Sequence, residues 1–546
     1  MKVRSTDRCD GFAQAPVWGL ARTLAVEHPE FRCIRLDLDP DHSDFVSLAG
    51  EIIRENIPEE IALREDGRYI PRLERNLSRD LSPQRLVIPN RGSVDNLTVE
   101  IIERRAPSPG EIEVEVENTG LNFRDVLNVL GMYPGDPGLL GLEFSGRIAR
   151  LGHGVTRFQP GDRVMGIAWG SFASFVNTPA ALVAHVPESI GLAAAATIPN
   201  AFLTAYHCLV EVGAMKRGDR VLIHAATGGV GLAAVQLAKW KGAEIFTTAG
   251  SEEKRAYLRS LGIPHVFSSR TLDFAQGIQQ ATHGRGVDLV LNSFAGDFID
   301  AGLASLAEGG KFVEIGKIGI RSQEQVAASR KNIHYSVVDL TTVIQSNPDQ
   351  IQSYLSIICR GITEGVLHPL PLTVFDFEDA AGAFRHMSQA KHIGKIVVRY
   401  PSSLRISPDA TYLITGGLSG IGLSIAEWLV DRGARSLVLL GRNNPSSGAM
   451  EAIERLRHAG SRVEIRTVDV SLKKDLEAVF SEIHQSMPPL RGIIHAAGVV
   501  DDGVLTQQTW TRFERVLAPK ITGAWNLHVL SASLLLDFFI LCSSIA

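Results

Sequence analysis

The spacing of hydrophobic and polar positions changes twice along the chain. Between about residues 91 and 200, short stretches such as Leu97 to Ile102 and Glu111 to Glu117 alternate apolar and polar positions between Gly and Pro turns, which predicts strands. After residue 200 the pattern becomes strand, helix, strand, and near Leu367 it returns to turn-rich strands. We therefore expect two lobes, with an α/β lobe inserted into a strand-rich one.

Two flanking stretches have patterns of their own. Near the start, a helix-like segment around Trp18 and a strand candidate from Cys33 to Leu38 precede a polar linker. After about residue 400, strands and helices alternate until Phe538 to Ser544, which we predict to be a buried strand. A domain rarely finishes on a buried strand, so we expect the sequence to be a fragment. The predicted domains are residues 1–90, 91–200 together with 341–400, 201–340 and 401–546.

Composition narrows the class of protein. The 546 residues include 55 basic and 60 acidic ones, a net charge of −5, which argues against nucleic-acid or anionic-membrane partners. The five cysteines contain no C-x-x-C pair, so neither a disulfide framework nor a structural zinc site is expected. No apolar run reaches the roughly 18 residues of a membrane-spanning helix, and no signal region is visible. We predict a cytoplasmic protein.

A first glycine cluster has the context of a dinucleotide-binding unit. It follows an apolar strand, Val221 to Ile223, and precedes a predicted helix, Val230 to Lys241, and a second strand, Glu244 to Thr248. Glycines let the backbone approach a pyrophosphate, and the helix N-terminus supplies free N–H groups. The predicted cofactor contacts are Thr227, Gly228, Gly229, Val230 and Gly231.

The residues after the second strand indicate which nicotinamide cofactor fits. An acidic residue there would bind a ribose 2′-hydroxyl. Here Ser251, Lys254 and Arg255 offer charge-assisted hydrogen bonds to a 2′-phosphate, so we predict NADPH. The alternative is that the two cations only begin a solvated helix.

A second glycine cluster repeats this arrangement in the last block. A strand precedes it, a helix from about Ile421 to Asp431 follows, and the next strand, Ser436 to Leu440, leads to an arginine placed for a 2′-phosphate. Two later strand ends fit the same sheet, at Val468 to Val470 and at Ile493 to Gly498. The predicted cofactor contacts are Thr415, Gly416, Gly417, Gly420, Ile421, Gly422, Arg442 and Asp469.

The last block resembles the ketoreductase catalytic subdomain of modular polyketide synthases, a short-chain dehydrogenase/reductase. The matching residues are Thr415 to Gly422, His495 to Asp502 and Leu517 to Lys520. The resemblance implies that Lys520 and Ser544 are the catalytic lysine and serine, and that the catalytic tyrosine follows beyond the last residue. We therefore expect this ketoreductase to be truncated, to bind NADPH poorly and to reduce nothing by itself.

The middle block resembles a polyketide synthase enoylreductase, a medium-chain reductase of the quinone-oxidoreductase type. The matching residues are Gly120 to Leu127, Met132 to Gly135 and Pro160 to Gly166. The resemblance implies a strand-rich GroES-like substrate lobe and a Rossmann nucleotide lobe, besides the second, truncated Rossmann domain. Leu142 stands where zinc-dependent relatives have a histidine, and a zinc site needs at least three good ligands, so we predict no metal.

The first block resembles the end of the ketoreductase structural subdomain, on the residues Trp18 to Arg22 and Arg68 to Leu73. In fully reducing synthase modules, the enoylreductase lies between the structural and catalytic ketoreductase subdomains. That order is the one found in this chain.

The enoylreductase resemblance implies a reaction and a set of donors. NADPH reduces a trans-2-enoyl thioester on an acyl carrier protein, and the enolate that results needs hydrogen-bond donors and a proton. Tyr133, Lys317 and Asp339 match the family's proposed donors. We assign Asn122 and Gly316 to the cofactor site and expect Asn122 and Arg124 to organise the substrate loop. Each donor could instead be structural: a turn aromatic, a surface lysine and a helix cap.

Three other interpretations of the chain stay open. A fatty acid synthase segment has a similar domain order, because the choice of acyl chain depends on pocket shape. A non-catalytic segment of a module, with degenerate cofactor sites, is disfavoured by the intact glycine motifs. A free-standing quinone reductase is disfavoured by the flanking ketoreductase pieces. The expected partners are an acyl carrier protein and the other domains of a synthase module.

Overall fold

The structure is a computed structural model that describes most of the chain as two compact units. One unit joins residues 1–76 to 403–546, and the other comprises residues 77–402. Both contain parallel sheets with interleaved helices, so the expected α/β fold class is confirmed. The described residues are Val3, Asp7, 14–31, 33–38, 45–54, 59–65, 67–72, 82–329, 332–400 and 406–543.

The described residues between 14 and 72 form a small three-stranded sheet with two α-helices. In chain order, the elements are α1 (Ala15–Glu27), β1 (Arg35–Leu38), α2 (Phe45–Ile52), β2 (Glu60–Arg64) and β3 (Gly67–Tyr69). β2 is the middle strand, parallel to β1 and antiparallel to β3. Arg64, only 3% exposed, pairs with Asp7 at 2.8 Å and with Asp37 at 2.6 Å, which neutralises the buried guanidinium.

The strand-rich lobe begins the larger unit. Its elements are β4 (Gln84–Val87), β5 (Thr98–Ile101), β6 (Glu111–Leu121), α3 (Phe123–Val129), β7 (Glu143–Leu151), β8 (Arg163–Ile167), β9 (Phe175–Pro179), β10 (Val183–His185), α4 (Leu192–Ala195) and α5 (Pro199–Tyr206). α5 continues into a π-helical turn, His207–Val212.

The nucleotide lobe comes next, and the chain then returns to the first lobe. The elements are β11 (Arg220–Ile223), α6 (Gly229–Lys241), β12 (Glu244–Ala249), α7 (Glu252–Ser260), β13 (His265–Ser268), α8 (Phe274–Ala281), β14 (Val287–Asn292), α9 (Asp297–Ala304), β15 (Leu306–Glu314), α10 (Gln323–Ser329), β16 (His334–Val337), α11 (Leu340–Ser346), α12 (Pro348–Thr363), β17 (Leu372–Asp376), α13 (Ala380–Ser388) and β18 (Lys395–Arg399).

The two sheets of this unit explain the change of pattern along the chain. The first sheet has the order β10-β8-β7-β6-β18-β17, with β9 also paired to β6, so the last two strands close the strand-rich lobe. The nucleotide sheet has the order β13-β12-β11-β14-β15-β16, and all its pairs are parallel. Val221, Leu222 and Ile223 are fully buried, as expected for a parallel strand covered on both faces.

The second parallel sheet lies in the smaller unit. Its elements are β19 (Thr411–Thr415), α14 (Gly420–Asp431), β20 (Ser436–Gly441), α15 (Ser447–His458), β21 (Arg462–Thr467), α16 (Lys473–Ser486), β22 (Leu490–His495), α17 (Trp510–Leu517), a π-helical turn (Ala518–Gly523), α18 (Ala524–Ser531) and β23 (Phe538–Leu541). The strand order is β21-β20-β19-β22-β23.

Two expectations about segment ends are corrected by the structure. β4 pairs with β5, and the Leu86 N–H donates to the Phe172 carbonyl at 2.8 Å, so the larger unit starts at residue 77 rather than 91. β23 is only half-buried: Phe538 and Phe539 pack against the core of the unit, whereas Ile540 is 39% and Leu541 55% exposed. The reason is that β23 is the edge of its sheet and pairs only with β22 among the described residues.

Candidate active site

The first dinucleotide loop lies between β11 and α6. Thr227 and Gly228 precede the helix, which begins at Gly229. Gly231 has no room for a side chain, because a Cβ there would lie 2.5 Å from the carbonyl oxygen of Ala225. The helix therefore starts close against the strand end, and the N–H groups of its first turn have no partner within the helix. This arrangement fits the pyrophosphate of a nicotinamide dinucleotide.

The segment predicted to hold a 2′-phosphate lies at the start of α7. Ser251 caps the helix, since its hydroxyl oxygen accepts the backbone N–H of Lys254 at 3.3 Å. The Lys254 Nζ donates to the carbonyl oxygen of Ala390 at 2.6 Å. Arg255 turns back along its own helix to pair with Glu252 at 2.8 Å. Ser251, Lys254 and Arg255 thus lie at one helix end. The charged groups of Lys254 and Arg255 both already have partners within the protein.

Sequence reasoning missed Arg270 at this corner. Its guanidinium lies beside Gly250, where an added Cβ would come within 3.2 Å of the Arg270 Nε. Burial and the nearby Arg270 charge lower the pKa of Lys254. A signal for Arg270 did exist: it follows β13, which neighbours β12, and ligands of parallel sheets bind outside the carboxyl ends of adjacent strands.

Two histidines lie next to the same lysine. His386 belongs to α13 and His392 to the loop after it, and their rings are 6.3 Å apart. Burial and the charge of Lys254 lower the pKa of His392 to about 4. Burial, Lys391 and Lys254 also lower the pKa of His386. Both rings are therefore neutral near pH 7, and the positive charge of this corner comes from lysine and arginine.

A buried polar cluster links the two lobes of the larger unit. Lys395 and Glu143 form an ion pair with an Nζ–Oε1 distance of 2.5 Å, and their side chains are 4% and 0% exposed. Lys395 also donates to the Asn122 amide oxygen at 2.8 Å, and Asn200 donates to the same oxygen at 2.7 Å. The Lys395 stem lies over Gly229, since a Cβ there would be 2.7 Å from the Lys395 Cδ.

The cluster changes the interpretation of Asn122. Its amide nitrogen donates to Glu143 at 2.9 Å and to the Gly120 carbonyl at 3.3 Å, while its oxygen accepts from Lys395 and Asn200. All four hydrogen-bonding positions of the amide are thus in use. A direct cofactor contact through this amide would break one of these bonds. The structure therefore places the Asn122 amide within the buried cluster, and its direct contact with a cofactor stays a prediction.

Lys317 and Asp339 come together as an ion pair at the edge of the nucleotide sheet. Lys317 follows β15 and Asp339 follows β16, and the Nζ–Oδ2 distance is 2.9 Å. The side chains are 26% and 39% exposed. Asp339 also caps α11 and accepts the Thr341 hydroxyl at 2.6 Å. Burial raises the pKa of Asp339, but hydrogen bonds from Thr341 and Lys317 outweigh burial and leave the pKa below its ordinary value.

Gly316 lies directly before this lysine. Its N–H donates to the Glu314 carboxylate at 2.6 Å, and an added Cβ would also come within 2.6 Å of that carboxylate. Burial raises the pKa of Glu314. The backbone before Lys317 is therefore fixed by a buried acidic side chain that sequence reasoning did not single out.

Tyr133 lies in the loop between α3 and β7. Its backbone N–H donates to the Leu127 carbonyl at 3.2 Å, and the guanidinium carbon of Arg124 lies 5.5 Å from its ring centroid. In the described part of the chain, no hydrogen bond joins Tyr133 to Lys317 or Asp339. The structure thus brings two of the three predicted donors into contact and leaves the third on the other lobe.

The second dinucleotide loop lies between β19 and α14. Gly422 is needed for close packing, because a Cβ there would lie 2.2 Å from the Gly416 carbonyl oxygen. The Thr415 hydroxyl is 2.7 Å from His495 Nδ1, and His495 Nε2 donates to the Pro519 carbonyl at 2.9 Å. Burial lowers the pKa of His495, so a neutral ring links two strand ends to the π-helical turn. The other predicted residues of this loop are Gly417, Gly420 and Ile421.

Of the four remaining predicted ketoreductase residues, the structure describes three. Lys520 lies in the π-helical turn, and its Nζ donates to the Cys542 carbonyl at 2.8 Å. Ser544 lies outside the described residues. Arg442 is exposed just after β20. Asp469 lies two residues beyond the end of β21 and accepts the Ser471 hydroxyl at 2.7 Å, so its carboxylate already has a partner.

Metal clusters and membrane spans are both absent from the described ranges. Within them, no three or more His, Cys, Asp or Glu side chains are grouped closely enough to hold a metal ion. Among the same residues, no helix has both the length and the apolar character needed to cross a bilayer. That the protein binds no metal stays a prediction.

Family models match four parts of the chain. Residues 1–73 match the Rossmann fold domain of the polyketide synthase extender module SpnB. Residues 108–188 match the alcohol dehydrogenase GroES-like domain, and residues 229–359 match the zinc-binding dehydrogenase domain. Residues 410–546 match the KR domain.

Relatives and solved structures agree with these matches. The mycocerosic acid synthase-like polyketide synthase of Mycobacterium tuberculosis is 38% identical over 100% of this chain, which spans only 27% of that relative's length. The CurK enoyl reductase structure is 42% identical, with a TM-score of 0.57, over 59% of this chain and 100% of that one.

A third similar structure contains a cofactor. It is the mycobacterial protein Rv1454c complexed with NADPH, 27% identical with a TM-score of 0.54, over 58% of this chain and 100% of that one. The two dinucleotide folds of this chain imply a nicotinamide cofactor, and the medium-chain reductase fold supports an assignment to the oxidoreductases. The expected resemblance is confirmed: the chain belongs to the type I polyketide synthase family and carries its medium-chain reductase and ketoreductase domains.

Proposed function

We propose that residues 77–402 form an NADPH-dependent enoyl reductase, which reduces a trans-2-enoyl thioester on an acyl carrier protein to the saturated acyl thioester. The cofactor supplies a hydride to the β-carbon of the substrate. The protein then has two tasks: it must hold the thioester oxygen while negative charge develops there, and it must deliver a proton to the α-carbon.

The observation that carries this proposal is the Lys317–Asp339 pair. An ammonium group held at 2.9 Å by a carboxylate of lowered pKa is kept in a fixed direction. Because the pair is partly exposed, the ammonium remains accessible to a ligand oxygen as a donor. Tyr133, on the loop of the other lobe, is the proposed second donor and protonates the α-carbon.

The cofactor contacts follow from the geometry at the two ends of the proposed site. Thr227 to Gly231 hold the pyrophosphate at the start of α6. Ser251, Lys254 and Arg270 hold the 2′-phosphate, and Arg255 supports them from its own helix. Asn122 acts indirectly through the buried cluster, and Gly316 contacts the cofactor directly before Lys317.

Reduction of a simple enoyl thioester tests the proposal. The purified chain is mixed with NADPH and a crotonyl thioester surrogate, and absorbance at the nicotinamide band is followed. We expect NADPH oxidation that depends on the thioester. Unchanged absorbance, with a folded protein, would favour a non-catalytic segment of a synthase.

Cofactor choice needs a separate measurement. Competitive titration with NADPH and NADH should show tighter binding of NADPH, because three polar side chains surround the 2′-phosphate. The Arg270→Ala variant should lose about tenfold in NADPH affinity and keep its NADH affinity. Equal affinities of the wild-type protein for the two cofactors would refute the preference.

The wider setting is also a proposal. The acyl carrier protein and the other synthase domains are the partners, and the protein works in the cytoplasm. Lys520 and Ser544 are the catalytic lysine and serine of the ketoreductase. Thr415 to Gly422, Arg442 and Asp469 form its cofactor site.

A further inference from the structure

Helix α3 holds the loop that carries Tyr133 through three side chains. The guanidinium of Arg124 donates to the Pro137 carbonyl, and the Asn128 amide donates to the Gly138 carbonyl at 3.1 Å. Asp125 accepts the Gly141 N–H at 2.8 Å. Residues 131–142 are therefore tied to one short helix at three successive points.

Arg124 differs from its two neighbours because it also touches the ring. Asp125 and Asn128 are 1% and 2% exposed and bind the backbone of the loop. The Arg124 guanidinium carbon lies 5.5 Å from the Tyr133 ring centroid, within the range of a cation–π contact. Arg124 thus holds both the backbone of the loop and the side chain that the loop presents.

The hydrogen-bonding state of Arg124 is unusual. Its Nε and Nη1 are buried, and neither has a hydrogen-bond partner in the described part of the chain. Buried, unpaired N–H groups on a charged side chain are costly. A neutral residue would avoid that cost, so the flat guanidinium is explained better by the contacts to Pro137 and Tyr133 than by stability.

We propose that Arg124 is a positioning residue for proton delivery by Tyr133. The inference rests on the proposed enoyl reduction. In that step the Tyr133 O–H bond breaks, a C–H bond forms at the α-carbon with the enolate electron pair, and the phenol regains a proton from water. Arg124 fixes the ring and the loop so that the hydroxyl points toward the substrate. It acts through Tyr133 and does not touch the reacting atoms.

The first arm of the test is a double-mutant cycle with Arg124→Met and Tyr133→Phe. Arg124→Met should lower kcat about tenfold, the size of a cation–π contact, and leave the KM for NADPH unchanged. In the Tyr133→Phe background the same change should have little further effect, because the proton donor is already absent. An equal loss in both backgrounds would overturn the proposal.

Two further variants separate positioning from general stability. Arg124→Lys should not rescue kcat, since an ammonium cannot stack on the ring and reach the Pro137 carbonyl with the same planar fork; full rescue would overturn the proposal. Arg105→Met is the matched control. It removes an exposed arginine of the same lobe, paired with Glu111 at 2.9 Å, and should behave like the wild type.

The second arm needs no substrate. Hydrogen exchange of the amides in residues 131–142 should become faster in Arg124→Met and stay unchanged in Arg105→Met. Unchanged exchange in Arg124→Met would overturn the proposal. If the wild-type chain does not reduce an enoyl thioester, the proposed function fails, and faster exchange would still support Arg124 as the residue that positions the Tyr133 loop.

Discussion

Two lysine–carboxylate pairs in the larger unit have the same chemistry and different surroundings. Lys395 and Glu143 are 4% and 0% exposed, and every hydrogen-bonding position of the adjoining Asn122 amide is occupied. Lys317 and Asp339 are 26% and 39% exposed and lie at the edge of the nucleotide sheet. The first pair is enclosed, and the second is partly open to solvent.

The difference shows how burial separates a structural pair from a reactive one. A buried ion pair is retained only when each charge is compensated, and removing one partner leaves an expensive lone charge. A partly exposed pair adds little to stability, so it can be kept for another task. We therefore expect Lys395 to stabilise the fold, and we propose Lys317 as the donor that holds the substrate oxygen.

The largest expected effect is on stability, from Lys395→Met. The change leaves the Glu143 carboxylate buried and unpaired, and it should lower stability by about 3–5 kcal/mol. Thermal unfolding followed by calorimetry measures the effect, and the double variant Lys395→Met with Glu143→Gln should recover part of it. A change in stability below about 1 kcal/mol would mean that the enclosed pair is no different from a surface pair.

The matching change at the partly exposed pair should lower activity and leave stability almost unchanged. Lys317→Met should leave stability within about 1 kcal/mol of the wild type, because the pair is partly exposed. It should lower kcat about 100-fold, the cost of removing one preorganised donor, with NADPH affinity retained. Steady-state kinetics and calorimetry on the same sample make the comparison. A retained kcat would contradict the assignment of Lys317 as a donor.

The smallest expected effect is the pH dependence of the Asp339 contribution. Because the pKa of Asp339 is lowered in the folded protein, its carboxylate adds stability above the unfolded-state pKa of about 3.9, and that stability is lost as pH falls through the folded value. The thermal midpoints of the wild type and Asp339→Asn should differ by a constant amount between about pH 5 and 8 and converge below about pH 4. A difference between the two thermal midpoints that grows as the pH falls would contradict a lowered pKa of Asp339.

Much of the fold follows from local patterns. The alternating strands, the inserted α/β lobe and the two glycine turns are visible in the sequence because period and turn residues are local properties. The Lys317–Asp339 contact follows from two adjacent strand ends. The burial of β23 was harder to predict, because an apolar run such as Phe538 to Leu541 does not distinguish a buried strand from an edge strand.

The contacts of the buried cluster could not be predicted from local sequence patterns. Asn122, Glu143, Asn200 and Lys395 come from four separate elements, and only the folded sheet, in which β6 pairs with both β7 and β18, brings them together. Each residue alone looks like an ordinary polar position near a turn. Arg255 is the converse case: its position suggested a phosphate contact, and a local pairing with Glu252 occupies it.

Transfer of a label from the cofactor to the substrate tests the central claim most directly. NADPH deuterated at C4, in the pro-R or the pro-S position in separate reactions, is incubated with the chain and a crotonyl thioester, and the product is examined by mass spectrometry and NMR. The account predicts a saturated thioester with one deuterium at the β-carbon from one of the two cofactors. A saturated product with no deuterium at the β-carbon from either cofactor, or no product at all, would contradict it.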